Sequence, residues 1–377
     1  MRTISKTRSQ PRPEDIRWMR AALGLARRAV GSTAENPAVG CVIVRDGVVV
    51  GRGATQPGGR PHAETEALRQ AGAAARGATA YVTLEPCAHH GQTPPCAEAL
   101  ASAGLSRVVA AIRDPDPRVD GGGLLALERV GIEVVTNVLS EDAAQLMAGF
   151  LARLKSGRPH VTLKLATSLD GRIATASGNS KWITGPEARA RGHLMRARSD
   201  AILVGIGTVL ADDPLLDCRL PGLEARSPAR IVLDSTLRLP AGCRLLATAA
   251  RLRTIILTTD AANPGTVAAL EAKGCEVRLI GSDEDGRVDL VAAFAMLGDL
   301  GFGRVLVEGG GSVAAGLIKG GLVDEIDWFR APLVLGGDGL PGVAQLGLER
   351  VDQAPRMIRI SVETIGHDIL EIFRLET

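Results

Sequence analysis

Aromatic side chains are scarce in this chain: three tryptophans, five phenylalanines and one tyrosine make up 2% of 377 residues. Proteins that hold single-stranded nucleic acid stack bases on aromatic platforms, so the scarcity argues against a nucleic-acid partner. Charge points the same way. Lysine plus arginine number 44 against 42 acidic residues, a net charge of +2, whereas a nucleic-acid binder carries a basic face. No apolar run approaches the roughly 20 residues of a membrane span. The start, MRTISKTRSQPRPED, is polar and basic with no apolar stretch behind it, so no secretory signal is expected. Six cysteines at irregular spacing do not form a disulfide framework. Cys41, Cys218, Cys243 and Cys275 read as small packing residues. A reduced, cytoplasmic setting is the expectation.

What is present is the balance of a globular protein, 45% hydrophobic and 23% charged. The length suits two domains of roughly 150 to 230 residues. Residues 1–13 are expected to be a flexible tail. Helical spacing of Ile16, Met19, Leu23, Ala26 and Val30 predicts a helix over 14–31. A buried strand at 39–44 turns at Asp46-Gly47 into Val48-Val49-Val50, a hairpin signal. Pro61 is expected to open a helix to about Ala75. Strands at 79–84, 107–112 and 132–135 then alternate with helices at 95–103 and 121–130, which implies a sheet covered on both faces. A helical segment over 141–159 ends in Ser156-Gly157-Arg158-Pro159. The expected division is therefore a first domain over 14–150, a linker over 151–159 and a second domain over 160–377. That second part repeats the α/β alternation and closes with strands near 323–334, 356–362 and 368–375, read as an antiparallel edge.

The strongest chemical signal is Pro61-His62-Ala63-Glu64 followed by Pro86-Cys87 and then Cys96. Catalytic zinc takes three nitrogen or sulfur ligands and keeps one position open. His62, Cys87 and Cys96 supply such a set, and Glu64 is free to move protons, as in the H-x-E…P-C-x-x-C arrangement of zinc base deaminases. The spacing departs from that signature: eight residues separate Cys87 from Cys96 instead of two. A closed structural site completed by His89 or His90 remains the alternative, although it leaves Glu64 without a task. In the second half, Val305-Leu306-Val307-Glu308-Gly309-Gly310-Gly311-Ser312 reads as a strand, a glycine-rich turn and a helix start. Such a turn can cradle phosphate or simply pack tightly. Its spacing is not the G-x-G-x-x-G of a dinucleotide fold.

The segments Asn36–Val44, Pro61–Glu64 and Thr83–Cys96 closely resemble the bifunctional riboflavin-biosynthesis deaminase/reductase family. Lys164–Arg172, Ser180–Gly185, Thr208–Pro214 and Glu308-Gly309-Gly310 resemble its reductase motifs. The long spacing between Cys87 and Cys96 is that family's own form of the motif. The resemblance implies an α/β protein with an N-terminal cytidine-deaminase-like three-layer domain and a C-terminal dihydrofolate-reductase-like domain. It implies one zinc ion on His62, Cys87 and Cys96, with Glu64 as proton shuttle. It implies the substrate 2,5-diamino-6-(5-phosphoribosylamino)pyrimidin-4-one, deaminated and then reduced with NADPH. Asn36 precedes Pro37 and so is expected in extended backbone at the pocket rim, where its amide can read the pyrimidine edge or simply serve a turn. Ala166, Trp182, Thr208, Asp212 and the run Gly310, Gly311, Ser312, Val313, Ala314, Ala315 and Gly316 fall at the family's cofactor positions. Ser180, Arg196, Leu216, Arg219 and Glu308 fall at substrate positions, with Lys164 and Asp212 as the charged groups beside the reacting ribose carbon. Guanidinium binds phosphate bidentately, which suits Arg196 and Arg219 to the ribose 5-phosphate. A nucleic-acid base deaminase and a non-catalytic zinc module are the competing readings, and a homo-oligomer is left open.

Overall fold

The first apolar stripe becomes the buried face of helix α1 (Pro13–Ala29), on which Met19, Ala22, Leu23 and Ala26 turn inward. Pro13 opens that helix, where a missing N–H has no intrahelical partner to lose. The structure is a computed structural model and describes residues 10–88, 94–117 and 119–376. His89, His90 and residues 1–9 of the expected tail lie outside the described residues. The chain falls into two compact units, Met1–Ser156 and Gly157–Thr377.

In the first unit, α1 is followed by β1 (Gly40–Arg45), β2 (Val48–Ala54), α2 (Ala63–Ala71), β3 (Thr79–Val82), α3 (Cys96–Ser102), β4 (Arg107–Ala110), α4 (Gly122–Arg129), β5 (Glu133–Val135), α5 (Ser140–Leu146) and α6 (Ala148–Ser156). The strands form one sheet ordered β2-β1-β3-β4-β5. Pairing is antiparallel from β2 through β1 to β3 and parallel from β3 to β5. Helices cover both faces, and glycines set how closely they approach. A Cβ on Gly40 would stand 2.0 Å from the Ala22 carbonyl oxygen of α1. On the opposite face, Cβ atoms on Gly51 and Gly53 would stand 2.2 Å from the carbonyl oxygens of Ala67 and Ala63 in α2. Only glycine lets helix backbone and strand backbone meet at that distance.

The second unit adds β6 (His160–Thr167), β7 (Arg172–Ala174), α7 (Pro186–Ala197), β8 (Ala201–Gly205), α8 (Ile206–Asp212), β9 (Ala229–Leu233), α9 (Arg244–Ala247), β10 (Thr254–Thr258), α10 (Pro264–Glu271), β11 (Glu276–Leu279), α11 (Leu290–Asp299), β12 (Arg304–Val307), α12 (Gly311–Lys319), β13 (Glu325–Arg330), β14 (Leu340–Pro341), β15 (Met357–Ile365) and β16 (Asp368–Leu375). Nine strands make one sheet, ordered β11-β10-β9-β8-β12-β6-β13-β16-β15, with β7 and β14 paired separately. The seven strands from β11 to β13 run parallel, and β16 and β15 close the edge antiparallel. The edge expected from the last strands is therefore present, although β13 itself pairs parallel to β6.

Several local expectations shift. Pro61 does not open the helix. His62 keeps an extended backbone as N-cap, and α2 starts at Ala63 and gives way to a 3₁₀ turn over Gly72–Ala75. The segment 141–159 is two helices, α5 and α6, and α6 runs through residues assigned to the linker up to Ser156. The short helix α9 was not expected.

A buried ion cluster ties α1 to the sheet. Arg107 Nη1 and Nη2 donate to the two carboxylate oxygens of Asp15 at 2.6 and 2.8 Å, and its Nε donates to Glu133 at 3.0 Å. Tyr81 adds its hydroxyl to Asp15 at 3.1 Å. Burial alone would raise the Asp15 carboxyl, but hydrogen bonds from Arg107 and the Arg12 backbone hold it below its ordinary value. A depressed carboxylate stabilises the fold fully above the ordinary carboxylate range and loses that contribution as pH falls through its own lower value. Arg107→Met should cost about 3–5 kcal/mol at neutral pH, because Asp15 would remain buried and unpaired. Urea unfolding measures it, and the difference from wild type should shrink once the pH drops below the carboxylate range.

Candidate functional site

Three elements of the first unit bring the predicted zinc ligands together. His62 caps α2, Cys87 follows β3 on an irregular loop, and Cys96 is the first residue of α3. Their ligand atoms all lie within 4.8 Å of one another, the one such His/Cys/Asp/Glu cluster among the described residues. His62 Nδ1 stands 3.3 Å from Cys96 Sγ and 3.8 Å from Cys87 Sγ. A tetrahedral zinc with bonds of about 2.3 Å to sulfur and 2.0 Å to nitrogen separates its ligands by about 3.5–3.8 Å. The donor set therefore fits zinc in chemistry and in spacing, and the eight-residue spacing still delivers Cys96. The Cys96 backbone N–H also donates to Cys87 Sγ at 3.3 Å. Hydrogen bonding from Cys96 draws the Cys87 thiol down, and the same contact pushes Cys96 up.

Glu64 lies one helical step inside α2 and is 4% exposed. Burial is the main cause that raises its carboxyl to about 7. That places a group able to give and take protons at neutral pH beside the ligand cluster. Asn36 lies across the turn that leads to His62: a Cβ on Gly59 would stand 2.0 Å from Asn36 Nδ2.

The second unit gathers several of its candidates at the carboxyl ends of adjacent parallel strands, where α/β sheets place ligands. Glu308, just past β12, accepts from Arg196 of α7 at 2.7 and 3.0 Å and from Lys164 of β6 at 3.2 Å. Burial would raise Glu308, but Arg196 and Lys164 hold it far below the usual carboxylate range. Arg196 spends its remaining Nη1 on the Asp217 carbonyl at 3.0 Å, so its guanidinium is already engaged. Arg219 is half-exposed and touches Asp217 and His193. Thr208 of α8 faces the glycine turn, 3.0 Å from where a Gly309 Cβ would stand. Gly310 has φ +65° and precedes α12, which opens at Gly311 and carries Ser312, Val313, Ala314, Ala315 and Gly316.

Trp182 is exposed beneath the Arg189 guanidinium, 4.6 Å from its ring centre. Its neighbour Lys181, on the loop from β7 to α7, stands 3.8 Å from Asp212 at the end of α8. Ala166 lies two residues beyond Lys164 on the same face of β6 and packs with Phe329 and Ala188. Leu216 is buried in a different place, the core beneath β8 and β9, with φ +56°. Ser180 makes no side-chain contact that ties it to the Glu308 cluster among the described residues.

Sequence reasoning missed His193 and Glu85. His193 sits one turn before Arg196 on α7 and accepts the Arg219 backbone N–H at 3.3 Å. Burial lowers its imidazole, and Arg196 and Arg219 lower it further. Its helical spacing from Arg196 was the signal available. Glu85 stood inside a quoted motif without a role, and its partners are distant backbone amides that no local pattern reveals.

The family model described as the cytidine and deoxycytidylate deaminase zinc-binding region matches residues 12–112. The one described as the RibD C-terminal domain matches residues 159–370. The riboflavin biosynthesis protein RibD of Escherichia coli (strain K12) is 43% identical over 368 residues, covering 94% of this chain and 98% of that relative. Among solved structures, Acinetobacter baumannii RibD is 38% identical with a TM-score of 0.86, covering 97% of this chain and 99% of its own. The Thermotoga maritima diaminohydroxyphosphoribosylaminopyrimidine deaminase/5-amino-6-(5-phosphoribosylamino)uracil reductase is 34% identical with a TM-score of 0.83, covering 96% and 99%.

Cys96→Ser should abolish stoichiometric zinc binding, since a hydroxyl is a poor zinc ligand beside a thiolate. Metal analysis after dialysis decides it. Retention of one zinc per chain would remove Cys96 from the ligand set.

Proposed function

The chain belongs to the RibD family, the bifunctional deaminase–reductases of riboflavin biosynthesis, and from that premise we propose how its residues divide the work. Residues 14–150 carry the deamination and 160–377 the reduction. The substrate is 2,5-diamino-6-(5-phosphoribosylamino)pyrimidin-4-one, in keeping with the activities named for the Thermotoga maritima relative. The observation that carries this reading is the cluster of His62, Cys87 and Cys96 with buried Glu64 beside it.

His62, Cys87 and Cys96 hold zinc, which when bound supplies a Lewis acid that makes water nucleophilic near neutral pH. Glu64 takes a proton from the attacking water and passes it to the 2-amino group, which leaves as ammonia while the ring carbon gains oxygen. A carboxyl near pH 7 suits both halves of that transfer. Asn36 orients the pyrimidine edge.

In the second unit NADPH, when bound, supplies the hydride that converts ribosyl to ribityl. The Gly309–Gly311 turn and the first N–H groups of α12 suit a pyrophosphate, with Thr208, Trp182, Ala166 and Asp212 as further cofactor contacts. Glu308 fixes Lys164 and Arg196 around the ribose. The engagement of Arg196 leaves the half-exposed Arg219 as the main 5-phosphate ligand. All six cysteines are free, in keeping with a reducing cytoplasm. No helix among the described residues is long and apolar enough to cross a membrane.

Glu64→Gln should keep its zinc and its fold yet lose ammonia release by about 10²-fold or more, the contribution of a general acid/base. NADPH oxidation on the deaminated pyrimidine should be unchanged in the same protein. Full ammonia release would instead mark a zinc module with no catalytic use for Glu64. Conversely, Glu308→Gln should leave ammonia release intact and weaken reduction about 10–100-fold, the loss of a charge-assisted hydrogen-bond pair. Steady-state NADPH oxidation against substrate concentration measures that effect.

A further inference from the structure

Cys87 sits on a loop with no regular hydrogen-bond ladder to hold it, yet a zinc ligand must be placed to within a few tenths of an ångström. Two residues before it, Glu85 is 3% exposed and bonds in five directions. Its backbone N–H donates to the Ile112 carbonyl at 3.0 Å. Its Oε2 accepts the backbone N–H groups of Asp114 and Gly121, both at 3.1 Å. Its Oε1 accepts those of Gly123 at 3.0 Å and Leu124 at 3.2 Å, in the first turn of α4. One carboxylate thus joins the exit of β3, the exit of β4 and the start of α4.

The chain between Glu85 and Cys87 has little freedom left. Pro86 fixes its own φ, and its carbonyl oxygen packs so closely on Gly123 that a Cβ there would stand 1.8 Å away. Beyond it the Cys87 carbonyl accepts the Ala97 N–H at 3.2 Å. Cys87 is therefore clamped between α4 on one side and α3 on the other.

We propose that Glu85 is a positioning residue for the metal centre: its carboxylate, through α4, sets where Cys87 Sγ meets the ion. Groups behind the ligands typically contribute 10–100-fold in metal affinity. This rests on the zinc reading of His62, Cys87 and Cys96, and the test separates the two. Glu85→Gln replaces one acceptor oxygen with an NH₂ that faces two backbone N–H donors, so both of those bonds are lost. Glu85→Asp keeps the charge but withdraws it by one methylene.

The experiment uses the full chain, with zinc affinity from chelator competition and the visible spectrum of the cobalt-substituted protein as readouts. Circular dichroism reports folding of the chain, and NADPH oxidation on the deaminated pyrimidine reports the second unit alone. Glu85→Gln is expected to stay folded, weaken zinc about 10–100-fold and alter the cobalt ligand-field bands, with Glu85→Asp intermediate. Unchanged affinity and spectrum in either folded variant would overturn the proposal. Loss of the folded first unit in both variants would also overturn it, in favour of a purely structural anchor. Failure of the wild-type chain to bind zinc at all would instead strike the underlying zinc reading.

Discussion

The approach of α2 to the sheet is the constraint on which the metal centre depends. His62 and Glu64 flank Ala63, and the Ala63 carbonyl lies where a side chain at Gly53 would have to stand. With any larger residue at Gly51 or Gly53 the helix would lift off the strand, taking the imidazole and the proton-carrying carboxyl with it. The same small residues that leave the chain poor in aromatics make the contact possible: Ala63, Ala67 and Ala71 form the helix face that meets β2. Backbone-to-backbone packing of this kind is stiff, because there are no rotamers in the contact to relax.

The two units meet the problem of buried charge in opposite ways. Beside His62, burial raises the Glu64 carboxyl to about 7. Around Glu308 the carboxylate is fully charged and surrounded, with a guanidinium and an ammonium on its two oxygens. A buried carboxylate of that sort is stable only while both partners remain. The first arrangement suits a group that must change protonation state, and the second suits a fixed framework.

The legible parts of the structure were those governed by local periodicity or by a compact motif. The alternating burial of His160–Thr167 and the hairpin at Asp46-Gly47 follow from residues adjacent in the chain. The zinc set was legible because its residue types are rare and chemically specific. What stayed hidden depends on partners far apart in sequence. Asp15 meets Arg107 across 92 positions, and Glu85 reaches amides 29 to 39 residues away. The start of α2 was misread because proline's preference for a first turn fixes one dihedral of Pro61 only, while His62 remains extended as the cap. Arg196 was legible as a site residue but not as the partner of Glu308, since a phosphate-binding arginine and an ion-paired one look alike in sequence.

Trp182 gives the near absence of aromatics an optical consequence. The chain has three tryptophans, and Trp182 alone among them is strongly exposed, at 68% of its surface, with Arg189 over its ring. Trp18 and Trp328 are partly buried against the two cores. With one tyrosine in the background, the red edge of the emission belongs largely to Trp182. The molecule thus carries a built-in fluorophore on the loop proposed to meet the nicotinamide nucleotide, and energy transfer to a reduced nicotinamide would read that loop's occupancy without any label.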